Sequence, residues 1–367
     1  MDRVLAVGGD TLNRPSKTRR LPRSSSLHLI RFAIGSAMLG LALGACGIAH
    51  STRGELMPLQ PSALAVGPNG NLYLADPGRD QILERLSDGR FVVVAGTGKS
   101  GFSGDGGPAT SAEIDDPGGL NFGPNATLYF ADQGNGRVRA ISARGTITTV
   151  AGGGDISASS GFVPDGTPAL DASITPYDVA VSPNGQVYVA TGLQVLRLSR
   201  RDTLQVVVGA DIPYGGVHGV GGPAVDASAD GVDGIAFDRL GDLWMFGFNT
   251  KAILEVTSKG VLREPAGDQD LYCRGDGGLA TTPNGTVLAM SELSLVKLSS
   301  TAAAKTIFSF YSGTFHGIRA FSPNGIAVSK DGAIYVDTWN GDGFADKTAI
   351  ASISPTGRFS RLLWEAP

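Results

Sequence analysis

The chain has 367 residues, 53 of them glycine and 20 proline, with 42% hydrophobic and only 17% charged residues and a formal net charge of −4. Glycine at about twice its usual share, without a three-residue period, excludes collagen and argues against a mostly helical fold, because an interior glycine costs a helix up to ~1 kcal/mol. The low charge and ample apolar content argue against disorder and leave a turn-rich, all-β globular chain.

The first fifty residues read as an address. Residues 1–31 carry Arg3, Arg14, Lys17, Arg19, Arg20, Arg23 and Arg31 against only Asp2 and Asp10, and residues 32–49 are uncharged. A basic n-region, an apolar h-region and small residues at a cleavage point make a secretory signal. Leu43-Gly44-Ala45-Cys46 resembles the lipobox of bacterial lipoproteins. In that family the signal is cut before the cysteine, whose thiol takes a diacylglyceryl group. The resemblance implies a signal peptide over 1–45, a tether over 46–59, and a lipid on Cys46 that holds the chain to a membrane in the bacterial cell envelope, outside the cytoplasm. A plain signal or an uncleaved anchor is the other reading, since an 18-residue run is the lower limit for a span. The long n-region leaves the start codon open. Arg19-Arg20 stands too far from the apolar run for a twin-arginine signal.

Residues 1–45 hold seven basic and two acidic side chains, so 23 basic and 32 acidic residues follow them, a net charge near −9. That balance argues against nucleic acid as a partner. There are two cysteines, and with lipid on Cys46 the remaining Cys273 has no intramolecular partner.

From residue 60 one motif recurs six times. Its clearest copies are Pro61 to Asp76, Pro117 to Asp132 and Pro176 to Thr191, in which an apolar strand meets a Pro-Asn-Gly or Pro-Asn-Ala turn and a second strand holds Leu-Tyr or Val-Tyr. Weaker copies begin at Asp233, Gly278 and Pro323, and the turn positions 70, 126, 185, 241, 285 and 332 are spaced by 56, 59, 56, 44 and 47 residues. Such a unit accommodates four short strands and their turns. In the first, strands are expected over 63–66, 72–75, 81–86 and 90–95, with Asp88-Gly89 as the last tight turn. Near-continuous apolar runs such as Phe91 to Ala95 fit sheets covered on both faces. Six such sheets around an axis form a β-propeller. The motif resembles the NHL repeat, and that resemblance implies a six-bladed NHL-type propeller over 60–367, without showing how the ring closes.

Long insertions link the fourth strand of one unit to the first of the next, over residues 96–116, 152–175 and 209–230. They share an Asp/Gly-rich Pro-Ala core at Pro108-Ala109, Pro168-Ala169 and Pro223-Ala224. Two roles are open for them, a binding rim or structural packing. They and the two–three loops put Asp105, Asp165, Tyr214, His218, His316, Trp339, Asp342 and Phe344 on one candidate binding face.

Asp76 and Asp132, closing the second strand of their units, are read as structural hydrogen-bond acceptors. The NHL-like peptidyl-hydroxyglycine lyases hold zinc with histidines from several blades, but His218 and His316 fall short of the three protein ligands of a catalytic zinc site. Asp337 to Asp346 is rich in oxygen ligands and partly resembles a calcium loop. Aligned on Gly343, its terminal ligand positions are Thr338 and Ala349, which fail the pattern. Calcium is thus the one cofactor raised, and none is otherwise expected. Gly96 to Ser100 lacks the first glycine of a phosphate loop. Arg274-Gly275-Asp276 and the sequons at Asn125 and Asn284 are read as chance matches.

The expected function is a non-catalytic binding or scaffold propeller for a protein, peptide or glycan. The alternative is an envelope enzyme resembling propeller lyases or lactonases, with its site on the loop-rich face. A channel lined by ionisable residues points to the enzyme, small neutral residues to the scaffold.

Overall fold

Each repeat folds into a four-stranded antiparallel meander, as the alternation of strand and turn signals requires. The computed structural model describes residues 59–158, 160–209, 216–229, 231–247, 253–265, 278–291, 294–309, 325–339 and 348–364. Blade one comprises Ala63–Val66, Leu72–Asp76, Gln81–Arg85 and Phe91–Ala95. Blade two comprises Pro117–Phe122, Leu128–Asp132, Arg137–Ile141 and Ile147–Gly152. Blade three runs from Asp178–Val181 to Thr203–Val208, and blade four from Val232–Phe237 to Leu262–Arg263. Blade five runs from Leu279–Thr281 to Lys305–Ser309, and blade six from Ile326–Val328 to Phe359–Trp364. The first strands contact one another around the ring, with Ala63–Val66 meeting Ile326–Val328. The molecule is a six-bladed β-propeller.

The turns follow local chemistry. Gly70, Gly185, Gly241, Gly285 and Gly332 all hold positive φ between the first and second strands. Ala126 is forced into the same region, at φ 58. At Gly119 the requirement is close approach: a Cβ there would lie 2.0 Å from Asp178 Oδ1 of the next blade.

Because both faces of each blade are covered, the second strands are buried along their length, as in Leu72–Asp76 and Leu243–Gly247. The core is six wedges, one at each blade boundary. Between blades one and two, for example, Ile82 packs with Phe130 and Ile147. The last wedge settles ring closure. Leu64 and Leu74 of blade one pack with Ala327 and Ile350 of blade six, under Leu59. Blades one and six are each built from consecutive strands, so apolar packing joins the ends rather than an exchanged strand. Each fully buried Leu or Ile there contributes about 1.5–3 kcal/mol.

The three insertions repeat one structure, and it is interblade packing. In the first, Gly106 donates to Ile147 O at 2.8 Å, Ile147 returns a bond to Gly107 O at 3.0 Å, and Pro108 bridges Thr146. In the second, Thr167–Pro168 pairs antiparallel with Thr203–Leu204 as a fifth strand of blade three. In the third, Gly221 donates to Leu262 O at 2.8 Å and Pro223 bridges Val261. Each latch therefore leaves one blade and covers part of the outer edge of the next, the usual liability of a sheet. Ala109, Ala169 and Ala224 are its buried pins.

Candidate functional site

The first strands of all six blades line an axial cavity of about 270 Å3. Most of its lining residues are apolar, with Ala65, Ala180 and Ala327 beside the larger Leu64, Phe122 and Phe237. The ionisable residue among its lining is Asp178, whose Oδ1 accepts the Val179 amide and whose Oδ2 accepts the Ile235 amide, at 2.8 and 2.9 Å. Asp178 thus ties blade three to blade four.

Towards the loop-rich end, aspartates in the second strands of blades one, two and six have one shared task. Asp76 accepts the Gln60 amide at 3.2 Å, Asp132 the Asp115 amide at 2.8 Å, and Asp337 the Gly325 amide at 2.5 Å. In each case the donor precedes the first strand of the same blade, so the carboxylate pins the chain as it enters. Asp337 does this from one register position earlier, since it occupies the place of Ala75 rather than Asp76. Burial raises the Asp76 carboxyl above its ordinary value, with the Arg79 guanidinium at 2.7 Å opposing.

Blade two adds a buried cation. Arg139 is fully buried, 2.7 Å from Asp105 and 3.4 Å from Asp132. It also donates to Glu113 O at 3.0 Å and Ser103 O at 2.8 Å. Phe102 covers Arg137 and Arg139 as a cation–π partner. Burial pushes the Asp132 carboxyl up to about 6, against the Asp115 amide, Asn135 and Arg139. At Asp105 burial also acts upward, yet hydrogen bonding from Thr149 and Arg139 outweighs it and holds that carboxyl below its ordinary value. Arg139 is the residue that sequence reading passed over. Its signal was a second arginine two positions after Arg137 in a strand that otherwise buries its residues.

The sequence candidates do not converge on one pocket. Asp105 caps the Thr149 amide at 3.1 Å, and Asp165, at the matching place in the second latch, caps the Val206 amide at 2.8 Å. In the third latch Val220 takes that place, and His218 is exposed in a two-residue strand paired with Ser228. Tyr214, His316, Asp342, Phe344 and Cys46 lie outside the described residues, as does the side chain of Trp339. No group of three or more His, Cys, Asp or Glu suited to a metal occurs among the described residues.

Six four-stranded blades around an axis define the chain as a six-bladed β-propeller. No protein-family model matches the chain. It is 26% identical over 290 residues to mouse (Mus musculus) teneurin-3, covering 66% of this chain and 10% of that protein. It is 28% identical over 180 residues to mouse teneurin-1, covering 44% and 6%. The chain thus spans about a tenth or less of the length of these relatives. Among solved structures it resembles a catalytically inactive virginiamycin B lyase from Staphylococcus aureus determined with quinupristin. There the TM-score is 0.51 at 11% identity, over 84% of this chain and 85% of that one. A streptogramin B lyase gives 0.52 at 14% identity, over 85% and 86%. At such identities the likeness is one of fold.

Proposed function

We propose that the chain is a lipid-anchored, non-catalytic propeller of the bacterial cell envelope that binds or scaffolds a protein, peptide or glycan. The axial cavity carries this reading: among the described residues Asp178 is the one ionisable residue of its lining, and it is spent on two backbone amides. The anchoring half rests on the basic, then apolar, then Leu-Gly-Ala-Cys46 order of the first residues. Capture of native envelope components on the full chain, with Cys46→Ser as control, tests both halves. Retained membrane association of Cys46→Ser, with no labelled fatty acid on the unaltered chain, overturns the anchor. Failure to enrich any envelope component overturns the binding role.

One observation favours a second reading, a lyase- or lactonase-like site at the loop-rich end. Asp132, raised to about 6 beside Arg139, has the profile of a tuned acid–base group. Its complete burial counts against it, since a substrate must reach the carboxyl. Turnover of a lactone or cyclic depsipeptide that Asp132→Asn abolishes, with the fold intact by circular dichroism, would establish this reading over the first.

A further inference from the structure

Exposed bases gather at one end of the ring. In a meander blade the one–two and three–four turns share one end, and the two–three and four–one links the other. The loop-rich end exposes Asp116 and Asp155 together with Lys99. The turn end exposes Arg144, Arg200, Arg201, Arg239, Lys259 and Lys330. None of these six bases has an ion-pair partner among the described residues. Most acids at the turn end are internally engaged. Asp88 pairs with Arg90 at 2.8 Å, Asp238 accepts the Leu240 and Asp242 amides at 2.8 and 2.9 Å, and Glu84 accepts Asn69 and Asn71. Asp202 stands exposed among the bases. An overall negative charge thus conceals a basic end.

Between blades three and four the turn end opens into a cleft of about 430 Å3. Asn184, Gln186, Tyr188, Arg197 and Arg239 line it. Arg197 lends Nη2 to Gln205 Oε1 at 2.5 Å, and its buried Nε has no hydrogen-bond partner among the described residues. Tyr188 packs edge to face on Phe237 with centroids 4.7 Å apart, so that contact engages its ring.

We propose that this cleft and the bases around it bind an acidic polysaccharide, with sugar carboxylates on Arg197 and Arg239 and sugar hydroxyls on Asn184, Gln186 and Tyr188. Guanidinium groups suit planar carboxylates, and amide and hydroxyl side chains both donate to and accept from sugar hydroxyls. The partner so named deepens the glycan option of the binding role above and rests on that reading. A single-stranded nucleic acid calls for open aromatic platforms, and the cleft's Tyr188 ring is already packed on Phe237. A bilayer needs apolar insertion, for which this end offers Leu240, 73% exposed. The chain enters the ring at Gln60, at the opposite end from this cleft.

Full-length chain in detergent micelles is titrated with oligogalacturonate, neutral galactan oligomers of the same length, and a DNA oligonucleotide. Phosphatidylglycerol doped into the micelles serves as competitor. The uronate should bind, the neutral oligomer should not, and added salt should weaken binding. Arg197→Gln combined with Arg239→Gln should weaken affinity roughly tenfold or more. Arg200→Gln with Arg201→Gln, at an exposed turn, should weaken it severalfold with an unchanged melting temperature, and Asp116→Asn at the other end should leave it unchanged. Equal binding of the neutral oligomer, tighter binding of DNA, displacement by phosphatidylglycerol, or full affinity in both arginine variants each overturns the proposal. The titration is independent of lipid on Cys46, so failure of the anchor leaves its outcome intact. Envelope capture that succeeds while uronate fails overturns this partner and leaves the general binding role standing.

Discussion

Arg139 and Glu255 show how single buried charges shape this molecule. Arg139→Met removes the guanidinium held by Asp105 and Asp132 and leaves Asp132 buried without its cation. A loss of about 3–5 kcal/mol is expected in urea unfolding. Glu255 is buried at 1% exposure in the third strand of blade four. Burial and the neighbouring Asp242 and Asp238 carboxylates push it up to about 6, with Arg263 opposing. Its folded value lies above its unfolded one, so the ionised form is the disfavoured one. The penalty is fully present above about pH 6 and relieved as pH falls towards the ordinary carboxyl value. Glu255→Gln should therefore stabilise the fold at pH 7.5 by about 1 kcal/mol and flatten its stability profile between about pH 4.5 and 6, read from melting temperatures across that range. Ala126 is a third case. At φ 58 it occupies a position where five other blades have glycine, so Ala126→Gly should stabilise by up to about 1 kcal/mol in the same assay. That irregularity was legible in the turn motif itself, because Ala126 broke a column of glycines. Arg139 was less legible, since its partners Ser103, Asp105 and Glu113 stand 26 to 36 residues away.

The latches are the element that distinguishes this ring. Their recurrence was plain in the Pro-Ala cores at 108–109, 168–169 and 223–224. Their purpose was not, because a repeated glycine-rich loop serves a rim or a brace equally well until its hydrogen-bond partners are known. Those partners are the outer strands of the following blades, reached across about forty residues of chain, as from Gly166 to Leu204 O. Ala169→Glu drives a charge into a site with 1% exposure. It should loosen the second latch and expose the outer edge of Thr203–Val208. Hydrogen exchange should quicken at Leu204, Val206 and the latch amides while blade five stays protected, since local opening need not propagate around the ring. Unchanged exchange there would deny the latch its bracing role. Asp105 and Asp165 then read as the caps of latches one and two, a consequence of pairing that spacing alone left ambiguous.

At the scale of the whole molecule, closure depends on one apolar seam. Ile350, fully buried among Leu64, Leu72 and Leu74, holds blade six to blade one. Ile350→Ala should cost about 2–5 kcal/mol and lower the urea midpoint, because a seam without an exchanged strand relies on packing. The sequence by itself determined the number of blades, the order of their strands and the turn positions. These follow from short apolar runs, glycine dihedrals and a repeat that recurs every 44 to 59 residues, all local properties. Only the tertiary structure decided how the ring closes, what the insertions grip, and that an acidic chain presents a basic end. Each of those depends on which distant residues become neighbours. Burial then lets some charges be neutralised by amides or partners and leaves others facing water.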